Sequence, residues 1–121
     1  YALQGDIESA LHQFKEALQL DPDFLPARRN LVATLFSLKQ YDEALTRGQV
    51  ILNSHPDEYR IHYVVGAILL AQGDNNEAIK HYSEALRLAP DFKEAQDGLK
   101  EAQKAHSKSL PAEPKRTQPN R

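Results

Sequence analysis

Apolar residues return every three or four positions along most of this chain, the spacing of one face of an α-helix rather than the alternation of a strand. Leu31, Leu35 and Leu38 mark one stripe, and Ala44, Leu45, Ile51 and Leu52 mark a second. Turn chemistry separates the stripes. Gly5-Asp6 and Gly73-Asp74 each pair a residue that tolerates positive φ, closing one helix, with an N-cap that opens the next. Asp74 and Glu77 have the spacing of a capping box. Pro22, Pro56 and Pro90 lack the backbone donor that a continuing helix needs and bias the preceding residue away from helical angles. Each is a predicted stop, and the chain as a whole is predicted to be all-α.

The punctuation is periodic. EALQLDPDF runs from Glu16 to Phe24 and EALRLAPDF from Glu84 to Phe92, with Pro56 midway between Pro22 and Pro90, so the period is 34 residues. In that register Ala10 lies over Ala44 and Ala78, Ala17 over Ile51 and Ala85, and Leu18 over Leu52 and Leu86. Agreement on small, apolar and turn residues, with drift between them, is what recurrent packing imposes. Two helices fit in each unit. Gly66 is expected to face Ala78 across one pair, with Tyr82 filling the space beside the next unit. The middle unit departs from this, with Val32 where the next has Gly66 and Gly48 where the others have Phe14 and Tyr82. A larger residue on one helix then offsets the loss of an aromatic on its partner.

Composition narrows the function. A chain of 121 residues is one domain's worth, and a net charge of −2 gives no broad attraction for nucleic acid or an anionic membrane. No stretch approaches the roughly 20 apolar residues that span a bilayer, so direct membrane insertion is not expected. Without Cys there is no disulfide scaffold, thiol catalysis or Cys-rich zinc site, although this does not separate cytosol from periplasm. A soluble domain is expected, with the cytoplasm slightly favoured. Lacking Met and beginning at Tyr1, the sequence is expected to be a fragment of a longer protein.

A 34-residue helix-turn-helix with a small residue, Ala, an aromatic, Ala and Pro at set intervals resembles the tetratricopeptide repeat family. The residues that carry the resemblance are Gly66, Ala78, Tyr82, Ala85 and Pro90, then Ala10, Phe14, Ala17 and Pro22, and more weakly Ala44 and Pro56. The resemblance covers about residues 1 to 106. It implies a right-handed α-solenoid of antiparallel helix pairs, about two and a half repeats plus a C-terminal capping helix. Residues 1–24 form a partial repeat, with the end of a first helix and a whole second one, 25–58 and 59–92 form complete repeats, and 93–106 form the cap. Ala95, Leu99 and Ala102 give that cap a thin apolar side.

The partial repeat leaves Leu3, Ala10 and Phe14 without their usual partner helix, and each large apolar side chain left exposed forgoes roughly 1.5–3 kcal/mol of burial. A frayed N-terminus, or self-association through it, is expected. Past Ser107 the sequence SKSLPAEPKRTQPNR is Pro-rich, polar and basic with no apolar period, and is expected to be a disordered tail over 107–121. Its Leu110 and basic side chains are also candidates to fold back on Asp97 and Glu101.

In this family the first helix of every repeat lines the concave side, so residues 34 apart become neighbours there. The resemblance implies a groove with Arg29, Tyr63 and Asp97 in one row, Ala33, Ala67 and Glu101 in a second, and Phe36 and Leu70 in a third with Lys104. Arg60 and Glu94 stand near its front edge. The small Ala residues leave room, Tyr63 offers a rigid amphipathic anchor, and Arg29 and Arg60 suit a carboxylate. Phe36 and Leu70 suit inter-repeat core equally well, and Arg29, Arg60 and Tyr63 suit an ordinary solvated face. The carboxylate clamp by which some members bind heat-shock chaperone tails fits poorly, because Asn30 and Arg60 match but Val64 stands where a basic residue is required.

Catalysis is not encoded in a form the sequence displays. The chain has no phosphate-binding glycine loop, no GxSxG and no HExxH, and His12, His55, His62, His81 and His106 include no i, i+4 pair. Neither a cofactor nor a metal is expected. The sequence therefore predicts a non-catalytic module that binds a protein or peptide ligand in the concave groove, or alternatively a structural spacer or dimerisation segment of a larger protein carrying an upstream glycosyltransferase or assembly domain.

Overall fold

The computed structural model describes the backbone of residues 2–109 and the side chains of 5–109. Six helices follow one another within it: α1 (Ala2–Leu20), α2 (Leu25–Ser37), α3 (Tyr41–Ser54), α4 (Tyr59–Ala71), α5 (Asn75–Leu88) and α6 (Lys93–Ser109). The period is visible in single hydrogen bonds. The amides of Asp21, His55 and Ala89 donate to the carbonyls of Ala17, Ile51 and Ala85, and those of Phe24, Glu58 and Phe92 donate to the carbonyls of Asp21, His55 and Ala89. Each proline sits inside this repeated exit, two residues past the last helical one.

The other turn also repeats. Gln40 and Asp74 donate five residues back to Leu35 and Leu69, while Lys39 and Gly73 donate to Phe36 and Leu70, which is a Schellman closure. It demands a left-handed residue, supplied by Gly73 at φ 85° and by Lys39 at φ 62°. Asp74 is the N-cap of α5, but its side chain caps nothing and Glu77 bonds Lys80 at 3.0 Å, so the expected capping box does not form. Nor does a turn form at Gly5-Asp6. α1 runs through both residues unbroken, so their backbone groups are paired within the helix.

α6 extends to Ser109, so Ser107–Ser109 are helical rather than part of the expected tail, while residues 110–121 lie outside the described ones. Leu3 lies outside the described side chains. Ala10 and Phe14 are half-buried.

Neighbouring helices pack throughout, and α4 also touches both α2 and α6. Among the described residues no Cα of α3 lies within 8 Å of one in α5, nor any of α1 within 8 Å of one in α3. The even-numbered helices thus form a joined inner row and the odd-numbered ones fan apart outside, curving the solenoid with α2, α4 and α6 on its concave wall. One core runs through it, from Leu31, Val32 and Leu35 through Ile51, Ile61, Val65 and Ile68 to Tyr82, Ala95 and Ala102. No described helix is long and apolar enough to cross a membrane.

Tyr82 is the largest fully buried side chain. A Cβ at Gly66 would stand 3.1 Å from its ring and one at Gly98 2.6 Å from it, so α4 and α6 close on the phenol only because both residues lack a side chain. Gly66 therefore meets Tyr82 more closely than the Ala78 expected opposite it. One repeat earlier the position of Tyr82 is Gly48, where a Cβ would meet Val65 at 3.0 Å, Ile61 at 3.6 Å and Val32 at 3.8 Å. Branched aliphatic groups fill the space the aromatic would occupy.

Candidate functional site

α4 buries Ile61, Val64, Val65, Ile68 and Leu69 and turns Arg60, Tyr63, Ala67 and Leu70 toward the concave side, at the i, i+3, i+7, i+10 spacing of one helical face. α6 buries Ala95, Gly98 and Ala102, and the adjacent stripe holds Glu94, Asp97, Glu101 and Ala105. Between the two stripes lies an open hollow of about 650 Å³. Five expected groove residues meet there: Tyr63, Ala67, Leu70, Asp97 and Glu101.

The hollow has an aromatic base and an acidic wall. Tyr63 packs 5.9 Å from the ring of Tyr82 and 5.3 Å from that of Phe92, which fixes its orientation. Burial, then the nearby carboxylates of Glu94 and Glu101, raise its phenol above the ordinary tyrosine value. The Tyr82 phenol is raised further, chiefly by burial. No Lys, Arg or His lines the hollow, and Asp97 meets Lys93 outside it at 3.5 Å.

The arginines lie apart. Arg29 and Arg60 border a second depression with Asn30, Asp57, Glu58 and Tyr59. Arg29 spends its guanidinium on Glu58, with Nη1 3.3 Å from both carboxylate oxygens. Arg60 lies over the Tyr59 and Phe92 rings, 5.4 Å from each centroid. Ala33 lines a shallow depression between α1 and α2 with Ile7, Ala10 and Ser37. Phe36 is half-buried against the core and 5.9 Å from the Tyr41 ring.

Glu94, expected at the groove's edge, lines the hollow, as do Gly98 and Tyr82, which belong to none of the expected rows. Gly98 has a readable signal, since glycine inside a helix costs about 1 kcal/mol relative to alanine and so marks a close approach. Its position, two residues off the register of Gly66, hid its partner. Among the described residues no group of three or more His, Asp or Glu is placed to hold a metal ion.

Models of the tetratricopeptide repeat match residues 1–68 and 59–92. The chain belongs to the tetratricopeptide repeat family. It is 29% identical over 86 residues to the small glutamine-rich tetratricopeptide repeat-containing protein 2 of Saccharomyces cerevisiae, covering 71% of this chain and 25% of the relative. Among solved structures it superposes on the first tetratricopeptide domain of Spaghetti (RPAP3) bound to an HSP90 peptide, SRMEEVD, with a TM-score of 0.79 and 23% identity, over 88% of this chain and 85% of that one. It also superposes on an O-GlcNAc transferase from Thermobaculum terrenum, with a TM-score of 0.75 and 29% identity, over 82% of this chain and 19% of that one. The chain thus spans about a quarter of the yeast relative's length. Fold and relatives together support a protein-interaction module.

Proposed function

We propose that this chain is a non-catalytic module that holds an extended peptide, or one face of a partner helix, in the hollow between α4 and α6. The observation that carries the reading is the convergence of Tyr63, Ala67, Leu70, Asp97 and Glu101 on one open concavity. Tyr63, already packed against two rings, offers contact area at little cost in side-chain entropy. A ligand leaving the hollow along the concave wall passes Ala33 and Phe36 and the rim where Arg29 and Arg60 stand. Affinity is modest, because a short groove buries little area while the peptide must be ordered.

The peptide-bound state of the RPAP3 domain supports the mode of binding. Its acidic ligand does not suit this groove, where Val64 is buried and Glu94, Asp97 and Glu101 supply the charge. An array of immobilised 15-residue peptides, probed with the chain and with a Tyr63→Ala, Leu70→Ala variant of equal helicity by circular dichroism, tests the reading. Peptides retained by the parent and lost by the variant are expected. Identical patterns for the two proteins count against the groove.

A second reading, a spacer or dimerisation segment of a longer protein, draws on the short share of its relatives that this chain spans, 25% of the yeast protein and 19% of the transferase. Leu20, 89% exposed at the end of α1, and the half-buried Phe14 give it an apolar surface for a second copy. Sedimentation equilibrium tests it: mass that rises with concentration, and stops rising on Leu20→Ser, supports it.

A further inference from the structure

The acidic wall of the hollow is supplied by one helix. Glu94, Asp97 and Glu101 recur at each turn of α6 and line the hollow together with Ala105, which carries the stripe toward the end of the helix at Ser109. Among the described residues neither Glu94 nor Glu101 has an ion-pair partner, and Lys93 meets Asp97 where both are well exposed. The surface that these carboxylates face is amphipathic, with the Tyr63 ring, Ala67 and Leu70 offering apolar contact beside the Tyr63 hydroxyl and Asn75. Such a surface takes an extended segment that combines apolar or proline residues with two or more cations.

The residues that follow α6 have that composition. LPAEPKRTQPNR, residues 110–121, carries Lys115, Arg116 and Arg121 against the single acid Glu113, with prolines at 111, 114 and 119. Pro111 disfavours another turn of α6, since the residue before a proline is pushed out of helical angles. The lengths also agree. Glu101 lies about 12 Å and Asp97 about 18 Å back from Ser109 along the helix. A chain reversing after Ser109 carries Lys115 up to about 20 Å and Arg116 up to about 23 Å along the same path.

We propose that the basic segment 110–121 of this same chain docks in the hollow, antiparallel to α6, with Lys115 and Arg116 against Asp97 and Glu101. The inference rests on the reading of the hollow as a peptide groove and adds an occupant that a partner must displace. Tethering gives the segment an effective concentration in the millimolar range, enough to occupy a weak site and raise the threshold for any ligand in trans. The carboxylates are exposed, so the contact is sensitive to salt.

Two-dimensional NMR of the full chain tests the proposal, with Lys115→Glu, Arg116→Glu as the comparison. This variant leaves every described residue intact. At low ionic strength the amides of Tyr63, Ala67 and Glu101 are expected to differ in shift between the two proteins. In about 1 M salt, where the screening length falls to about 3 Å, the two spectra are expected to converge. Coincident spectra at low salt overturn the proposal, as do differences that vanish on dilution, which place the segment in another copy's hollow. Coincident spectra combined with Tyr63-dependent binding on the peptide array overturn the tail and leave the groove. Coincident spectra with no such binding overturn both.

Discussion

The Nδ1 atoms of His62 on α4 and His81 on α5 lie 3.1 Å apart, joining the two helices of one repeat by an imidazole-imidazole hydrogen bond. The tautomers follow from the third partner. His62 Nε2 is 2.8 Å from the Pro56 carbonyl, which only accepts, so Nε2 carries the proton and His62 Nδ1 accepts from His81 Nδ1–H. In this bond His81 is the donor and His62 the acceptor.

The burial of His81 makes this repeat sensitive to acid. Burial first, then His62 and Lys80, lower the pKa of His81 below 6.5, and Glu77 and Glu84 oppose this without reversing it. A base whose folded pKa is depressed leaves the unfolded chain binding more protons, so stability is full above the unfolded value of 6.5 and falls as pH drops below it. The melting temperature is expected to decline from pH 7.5 toward pH 5. In His81→Gln, which donates without titrating, the decline should be shallower; an unchanged slope would remove the histidine pair as its cause.

Gly98→Ala should destabilise the fold. The added methyl would stand 2.6 Å from the Cε1 and Cζ atoms of a ring that is itself fully buried. Overpacking of this kind costs about 1–3 kcal/mol, more than the roughly 1 kcal/mol that alanine gains over glycine inside a helix. Urea denaturation gives the sign directly, and a midpoint that rises would show the ring free to move aside.

Lys39→Gly should stabilise it. At φ 62° the lysine occupies a conformation that costs an L-residue roughly 1–2 kcal/mol, and glycine removes that strain while adding about 0.4–1 kcal/mol of unfolded-state entropy. The expected net gain is up to about 1.6 kcal/mol, and Gly73→Lys should show the reverse in the same thermal melts.

Gly48→Phe tests the repacking of the middle repeat. With Val65, Ile61 and Val32 already around that backbone, an aromatic there has no space, although Phe14 and Tyr82 occupy the same place in the register. Loss of about 1–3 kcal/mol is expected. A higher melting temperature would mean that the valine and isoleucine leave a void.

What the sequence made legible was local or strictly periodic. Proline exits and the Gly73 turn follow from short-range backbone rules copied along the chain, whereas the rows of residues 34 apart are what the family resemblance implies. Gly5 carries the same signal, yet α1 runs through it unbroken, so a glycine-aspartate pair alone does not fix a turn. The hollow was half legible. Tyr63 over Asp97 and Ala67 over Glu101 came from the register, whereas the bond from Arg29 to Glu58 joins residues 29 apart, off that register, and consumes a cation the sequence leaves free. The histidine pair spans two helices and has no spacing rule at all. In each case the missing information is a side-chain contact made in three dimensions.

The gap between α3 and α5 has a mechanical consequence. A curved stack joined along its inner row and open along its outer one resists stretching at the inner row but bends about it at low cost. Widening or narrowing the concave wall then changes the splay of the outer helices without parting the Tyr82 contact between α4 and α6. The solenoid can adjust its curvature as a leaf spring does, storing the deformation as elastic energy spread along the stack instead of breaking any one repeat.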